Sequence, residues 1–176
     1  PGCANDINKI CNRKVEVIYN GFDPTDFNFE KPTLDNTFTI SHFGAFNKDR
    51  NPAGLWKALG NLIKENNEFK SALKIQLIGQ TDESILREIE KNGLSANQTL
   101  ISHIPHKEGL IRLSRSQVLL LPLNDAPNVK GILPGKMYEY IALRRPVLAI
   151  GPLDGDFARI IQETNAGKTH SFDDII

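Results

Sequence analysis

Gly131-Ile-Leu-Pro-Gly-Lys-Met-Tyr-Glu-Tyr-Ile-Ala-Leu-Arg-Arg-Pro146 is the stretch whose reading decides the fold. Ahead of it stands an apolar run, Val118-Leu-Leu-Leu-Pro122, which reads as a buried strand, and a loop from Leu123 to Pro134. Pro134-Gly135 opens a short helix, Arg144-Arg145-Pro146 closes it, and Val147-Leu-Ala-Ile150 reads as the next strand. Strand, loop, helix, strand places a helix N-terminus at the carboxyl edge of a parallel sheet. Free backbone N–H groups and the helix dipole favour phosphate at that point, and Lys136 adds a full positive charge. Glu139, three residues on, shares a helix face with Lys136. A carboxylate so placed can accept hydrogen bonds from the two hydroxyls of a ribose. The pattern implies a nucleotide-diphosphate pocket around which the rest of the chain is arranged.

Residues 1–14 are polar, with a weak helical pattern in Ile7, Ile10 and Cys11, and stand apart as an N-terminal segment; the domain runs over 15–176. Val15–Tyr19 is expected to form a short strand, stopped by the turn signal Asn20-Gly21-Phe22-Asp23-Pro24. Phe27 and Phe29 pin the following loop to a surface, and 31–36 is a polar connection. Strands are expected at Phe38–Phe43, Leu73–Ile78, Thr99–Ile104, Val118–Leu121, Val147–Ile150 and Gly167–His170. Between them, a helix from Pro52 to about Asn66 turns Leu55, Ala58, Leu59, Leu62 and Ile63 to one face. Asp82 caps a helix to about Asn92-Gly93, another covers Lys107–Ser116, and Asp156 caps the last. Strands alternating with helices across short loops give an α/β fold, a Rossmann-like doubly wound parallel sheet with helices on both faces.

At 176 residues the chain suits one domain with a real core. Its formal net charge of zero gives no case for broad electrostatic binding to nucleic acid or membrane. The two cysteines, Cys3 and Cys11, precede the first clear strand and would staple nothing in the core, so they read as reduced thiols of a cytoplasmic chain. No apolar run reaches transmembrane length and the start is no signal peptide. Pro1-Gly2-Cys3 is no natural start either, and points to a fragment of something longer.

A second candidate loop, Gly44-Ala-Phe-Asn-Lys-Asp-Arg50, also follows a strand and precedes a helix. The planar fork of Arg50 suits a diphosphate, and Lys48 makes a weaker case. On a plain reading both are solvated loop cations, and Lys136 with Glu139 an exposed helix pair. His42, His103, His106 and His170 lie on separate elements with no metal-ligand spacing. His103 and His106 flank Ile104-Pro105 in a loop whose main chain could meet a base. There is no GxSxG, no P-loop and no GxGxxG, which counts against a serine hydrolase, a kinase and an NAD enzyme of the usual type. Met137, Tyr138 and Tyr140 read as packing, and Trp56 as half-buried structure.

Several stretches together resemble the C-terminal, donor-binding domain of retaining GT-B glycosyltransferases of the group-1 (family 4) type. Val15-Glu-Val-Ile-Tyr-Asn-Gly-Phe-Asp23 is similar to the hinge by which the chain enters that domain. Ile40 to Leu59 resembles the strand, glycine loop and helix that hold the donor diphosphate. Ile75-Gln-Leu-Ile-Gly79 and Ile104-Pro-His-Lys-Glu-Gly-Leu110 match the next two units. Gly135-Lys-Met-Tyr-Glu-Tyr-Ile-Ala142 before Arg145-Pro-Val-Leu148 looks like the family's glutamate helix.

The resemblance implies transfer of a sugar from a nucleoside-diphosphate sugar (UDP or GDP) with retention, as in polysaccharide biosynthesis. Arg50 and Lys136 would serve as catalytic groups that stabilise the leaving diphosphate. Gly44 and the Gly135–Lys136 helix start would also meet the phosphates, Glu139 the ribose, and the His103–Ile104 backbone the base. No cofactor and no metal are implied, the donor being a substrate. The acceptor, a glycan or lipid-linked sugar, and any peripheral membrane association of the full enzyme would belong to an N-terminal domain for which this chain has no room. The isolated fragment would then bind nucleotide without turnover.

Two positions depart from the family's pattern. Gly44 is followed by Ala45 where an arginine is usual, so one phosphate ligand is missing. Gly131 stands where a glutamate contacts the donor sugar, with Asp125 and Asn128 of the same loop as substitutes. Two other readings stay open: the nucleotide-binding half of a 2-epimerase-like isomerase, and a degenerate, non-catalytic Rossmann module serving protein contacts.

Overall fold

A computed structural model describes residues 2–30 and 33–174. Its centre is one sheet of six strands: β1 (Phe38–Phe43), β2 (Leu73–Ile78), β3 (Gln98–Ile101), β4 (Val118–Pro122), β5 (Val147–Ile150) and β6 (Gly167–His170). All five pairings are parallel, in the order β3-β2-β1-β4-β5-β6. Helices α1 (Gly2–Cys11), α2 (Ala53–Glu65), α3 (Asn67–Ala72), α4 (Glu83–Lys91), α5 (His106–Ser114), α6 (Gly135–Ala142) and α7 (Asp156–Glu163) precede or connect the strands. This is the α/β, Rossmann-like architecture expected from the alternation of elements.

A sheet covered on both faces needs strands that are apolar on both sides, and the run Val118–Leu121 meets that need. Leu120 packs with Ile40, Ile75, Leu77 and Ile150 against α2 and α4. Its neighbours Leu119 and Leu121 point the other way, with Val147 and Ala149, against α5, α6 and α7. Polar residues inside the sheet are paired rather than excluded. Ser41 Oγ lies 2.7 Å from Ser116 Oγ and accepts from Gln76 Nε2 at 3.0 Å.

Val15–Tyr19 is not a strand: residues 14–23 form neither helix nor strand. Alternation predicts which face a strand would bury but cannot supply a neighbour, and no sheet edge pairs with this segment. Ile18 is accordingly 94% exposed. β3 ends at Ile101 rather than 104, in register with the end of β2, and Pro105 then caps α5. The cap of α7 is Gly155, with Asp156 as the first helical residue, accepting from the Gly2 N–H at 2.9 Å. Helix α3 adds to the expected elements, capped by Asn66, whose side chain accepts from the Phe69 N–H at 2.9 Å. Lys31 and Pro32 of the expected 31–36 connection, and the side chain of Cys3, lie outside the described residues; Cys11 is a free, exposed thiol.

On α2 the buried residues are Trp56, Ala58, Leu59, Gly60 and Ile63, and Leu62 is 44% exposed. Trp56, expected to be half-buried, is wholly buried against Phe46, with its indole N–H donating to Asn51 Oδ1 at 2.8 Å. The indole buries a large area and satisfies its one donor, so it displaces Leu62 from the core-facing stripe. Trp56→Ala should therefore lower stability by about 3–5 kcal/mol, and Leu62→Ala by about 1 kcal/mol or less, in urea denaturation.

Candidate functional site

β1 and β4 lie side by side, yet the chain leaves β1 toward β2 and leaves β4 toward β5. The loops after these two strands therefore part, and a crevice opens at the carboxyl edge between them. A cavity of about 310 Å³ occupies it, lined by His42, Arg50, Asn124, Ile132, Gly135 and Lys136 with the end of β4. That volume is at the lower end of those that take small ligands.

One wall is the loop after β1. Gly44 has φ +101, which an L side chain rarely adopts, and a Cβ there would come within 2.6 Å of Lys136 Nζ. The backbone thus favours glycine, and a Cβ would also push the end of the Lys136 side chain aside. Phe46 ties the loop down: its N–H donates to Gln80 O at 2.9 Å and its carbonyl accepts from the Asp82 N–H at 3.0 Å. Arg50 follows, its Nε donating to Asn124 Oδ1 and its Nη1 to Ala45 O. The loop after β4 is bound to the loop after β1 a second time, through Asp125 N–H to Asp49 O at 3.0 Å.

The other wall is the start of α6. Pro134 presets an extended entry and no side chain caps the helix, so its first N–H groups face the crevice uncapped. Met137 and Tyr140 anchor the buried face, and the Tyr140 hydroxyl accepts from the Phe43 N–H at 3.2 Å. That bond clamps the end of β1 to α6 and sets the width of the crevice.

Lys136 Nζ is buried and has no hydrogen-bond partner among the described residues. Burial first, then the Arg50 charge, bring its pKa down from 10.5 to about 8, against a partial lift from Glu139. Behind it His42 is fully buried, its Nδ1 3.1 Å from Leu120 O and its ring against Phe46, 4.3 Å between centroids. Burial and the Lys136 charge hold the His42 pKa down to about 3, against the Leu120 and Ala45 carbonyls, so it stays neutral. The crevice thus presents two cations, Lys136 and Arg50, and no carboxylate among its lining residues. What it can do chemically is receive an anion.

Glu139 sits one turn further along α6. Its Oε1 lies 3.1 Å from His106 Nε2, and His106 Nδ1 lies 3.6 Å from Asp26 Oδ2. The His106 ring stacks on Phe43, 5.9 Å between centroids. Glu139 is therefore held from outside by the first residue of α5. In the sequence His106 reads as a loop histidine, because its partners lie on other elements. His103 and Ile104 lie on the loop between β3 and α5, at the same edge of the sheet. Asn128 leads the turn Val129–Gly131, and Gly131 backs onto the start of α1. Neither Asp125, Asn128 nor Gly131 lines the cavity, to which this loop contributes Ile132 and Pro134. The structure thus brings Gly44, Arg50, Gly135 and Lys136 together and leaves the proposed sugar-loop residues to one side. Among the described residues no group of three or more His, Cys, Asp or Glu could hold a metal ion, and no helix is long and apolar enough to cross a membrane.

No family model matches this sequence, and no curated protein matches it either. Solved structures do match the fold. WaaG, a glycosyltransferase involved in lipopolysaccharide biosynthesis, is similar with a TM-score of 0.61 at 17% identity, over 78% of this chain and 34% of that one. A mutant of S. aureus TarM, in complex with fondaparinux, alpha-GlcNAc-glycerol and UDP, gives 0.60 at 17% identity, over 83% and 27%. A trehalose-6-phosphate synthase studied with bisubstrate glycomimetics gives 0.63 at 14% identity, over 89% and 40%. The chain spans between about a quarter and two fifths of the length of these proteins. Its α/β, Rossmann-like fold is one that GT-B glycosyltransferases contain.

Proposed function

We propose that this chain is the donor-binding domain of a GT-B glycosyltransferase that moves a sugar from a nucleoside-diphosphate sugar to an acceptor with retention. The observation that carries the reading is Lys136: a buried ammonium with no hydrogen-bond partner among the described residues, near Arg50 and beside an uncapped helix start. Such a group is costly in the empty domain and becomes favourable when a diphosphate enters. Glu139 lies one turn away for the ribose hydroxyls, oriented by His106, and the main chain at His103–Ile104 would face the base.

Breaking the bond between the sugar and the diphosphate leaves negative charge on the departing oxygen. Lys136, Arg50 and the α6 N–H groups are placed to stabilise that charge as it develops. The acceptor, a glycan or lipid-linked sugar, would be held by residues beyond this chain, which alone should bind nucleotide without turning over.

Calorimetric titration with UDP, GDP and ADP tests the reading. One nucleotide should bind, and Glu139→Ala and Arg50→Ala should each weaken it about 10–100-fold, the worth of a charged hydrogen bond. Binding that neither substitution changes would refute the assignment.

Affinity should also depend on pH in a stated direction. Phosphates favour charged Lys136, so binding is strongest below pH 8 and should weaken about tenfold between pH 7 and pH 9 as the ammonium is lost. The window lies above the last phosphate ionisation, and Lys136→Met, measured over the same range, separates the lysine from any ionisation of the base. Lys136→Met should abolish both the high affinity and this dependence.

The same substitution should stabilise the empty domain. Below pH 8 the folded state holds the Lys136 proton against burial, and stability rises with pH as that cost disappears between about 8 and 10.5. Methionine keeps the apolar stem without the charge. Lys136→Met should therefore gain about 1–3 kcal/mol in urea denaturation at pH 7, and less at pH 10.

A further inference from the structure

A second concavity, of about 480 Å³, lies at the opposite edge of the sheet, where β5 and β6 begin and α6 and α7 end. Arg144, Arg145 and Lys168 line it together with Asn165, Ile141 and Pro146, and no acidic side chain does. Some surface cations elsewhere are ion-paired, Arg87 with Glu83, Arg112 with Glu108, Arg159 with Glu163 and Lys130 with Asp154, while others such as Lys57, Lys64 and Lys74 stand singly among the described residues; here three gather around one concavity. None of the three cations here has an ion pair or side-chain hydrogen bond among the described residues, and Arg145 Nε is buried without a partner.

Two helix C-termini face this edge, and their dipoles attract cations. Each is worth about half a negative charge, so together they offset about one of the three positive charges and leave an excess near two. The backbone on one lip is also strained for its residue, since arginine, unlike asparagine, seldom ends a helix in the left-handed region. Arg144 has φ 54 and Asn165 φ 51, left-handed conformations at helix ends where glycine is the common choice. Helix termination alone would be met with less strain by glycine.

We infer that this concavity is a second anion site, distinct from the crevice at the carboxyl edge, that takes a phosphate-bearing ligand. Arginine forks match phosphate oxygens two at a time, and Lys168 adds a point charge. Ile141 and Pro146 offer an apolar wall to whatever carries the phosphate. The phosphate belongs either to a soluble phosphorylated molecule or to a lipid headgroup. The inference is independent of the donor-site reading.

Pyrophosphate is a suitable probe, with calorimetry on the Lys136→Met variant to remove the carboxyl-edge site. That variant should still bind pyrophosphate at one site, and adding Arg145→Gln with Lys168→Gln should weaken binding at least tenfold. Arg144→Gly removes a charge while relieving the left-handed strain, so it should weaken pyrophosphate with no loss of thermal stability. Absence of binding to Lys136→Met, or binding that ignores all three edge substitutions, would overturn the inference. Sedimentation with phosphatidylglycerol vesicles separates the two sources. Retention that pyrophosphate displaces assigns a lipid headgroup; pyrophosphate binding without retention assigns a soluble ligand.

Discussion

A lysine ammonium lodged over a glycine, at the point where a parallel sheet reverses its strand order, is the constraint on which this structure turns. The reversal between β1 and β4 opens the crevice, and Gly44, lacking a Cβ, lets the Lys136 stem cross it. The buried charge has no hydrogen-bond partner among the described residues, and the nearby Glu139 carboxylate offsets it only in part. A fold assembled only for stability would replace it with a methyl group, since a buried ammonium without a hydrogen-bond partner is among the costliest features a small domain can keep. Its retention argues for an anionic visitor.

The surrounding packing keeps the crevice in shape. Leu119, Leu120 and Leu121 bury both faces of β4, so the strand cannot shift without opening one of two cores. The Tyr140 hydroxyl holds α6 to the end of β1, and Phe46 pins the loop after β1 to the loop after β2. His42, forced neutral by burial and by Lys136, adds no competing charge behind the site. Glu139 takes its orientation from His106, which itself leans on Phe43 and Asp26. Arg50 and Glu139 are thus positioned by side chains from other elements, which is how a site holds its geometry before a ligand arrives.

Much of this was legible in the sequence where the signal was local. Pro134-Gly135 and Arg145-Pro146 bracket α6, and Val118–Leu121 and Val147–Ile150 sit where their apolar runs place them. Pairing was not legible. Val15–Tyr19 alternates like a strand but has no neighbour to accept it, and periodicity carries no information on partners. On α2 the fully buried Trp56 occupies the stripe in place of Leu62, a competition of sizes that a period of 3.6 does not resolve. At the site, residue types announced Lys136, Glu139 and Arg50 as candidates, whereas the contact of Lys136 with Gly44 and the bond from His106 to Glu139 join distant parts of the chain. Asp125, Asn128 and Gly131 are candidates only by position in a family pattern, and they do not line the cavity.

The most direct test of the account is a residue-specific NMR titration of the Lys136 ε-methylene carbon, assigned by its loss in Lys136→Met, without and with UDP. The account expects a pKa near 8 in the free domain, rising above about 9 when the diphosphate supplies a counter-ion. A free value in the ordinary lysine range, or a value near 8 that saturating UDP leaves unmoved, would contradict it.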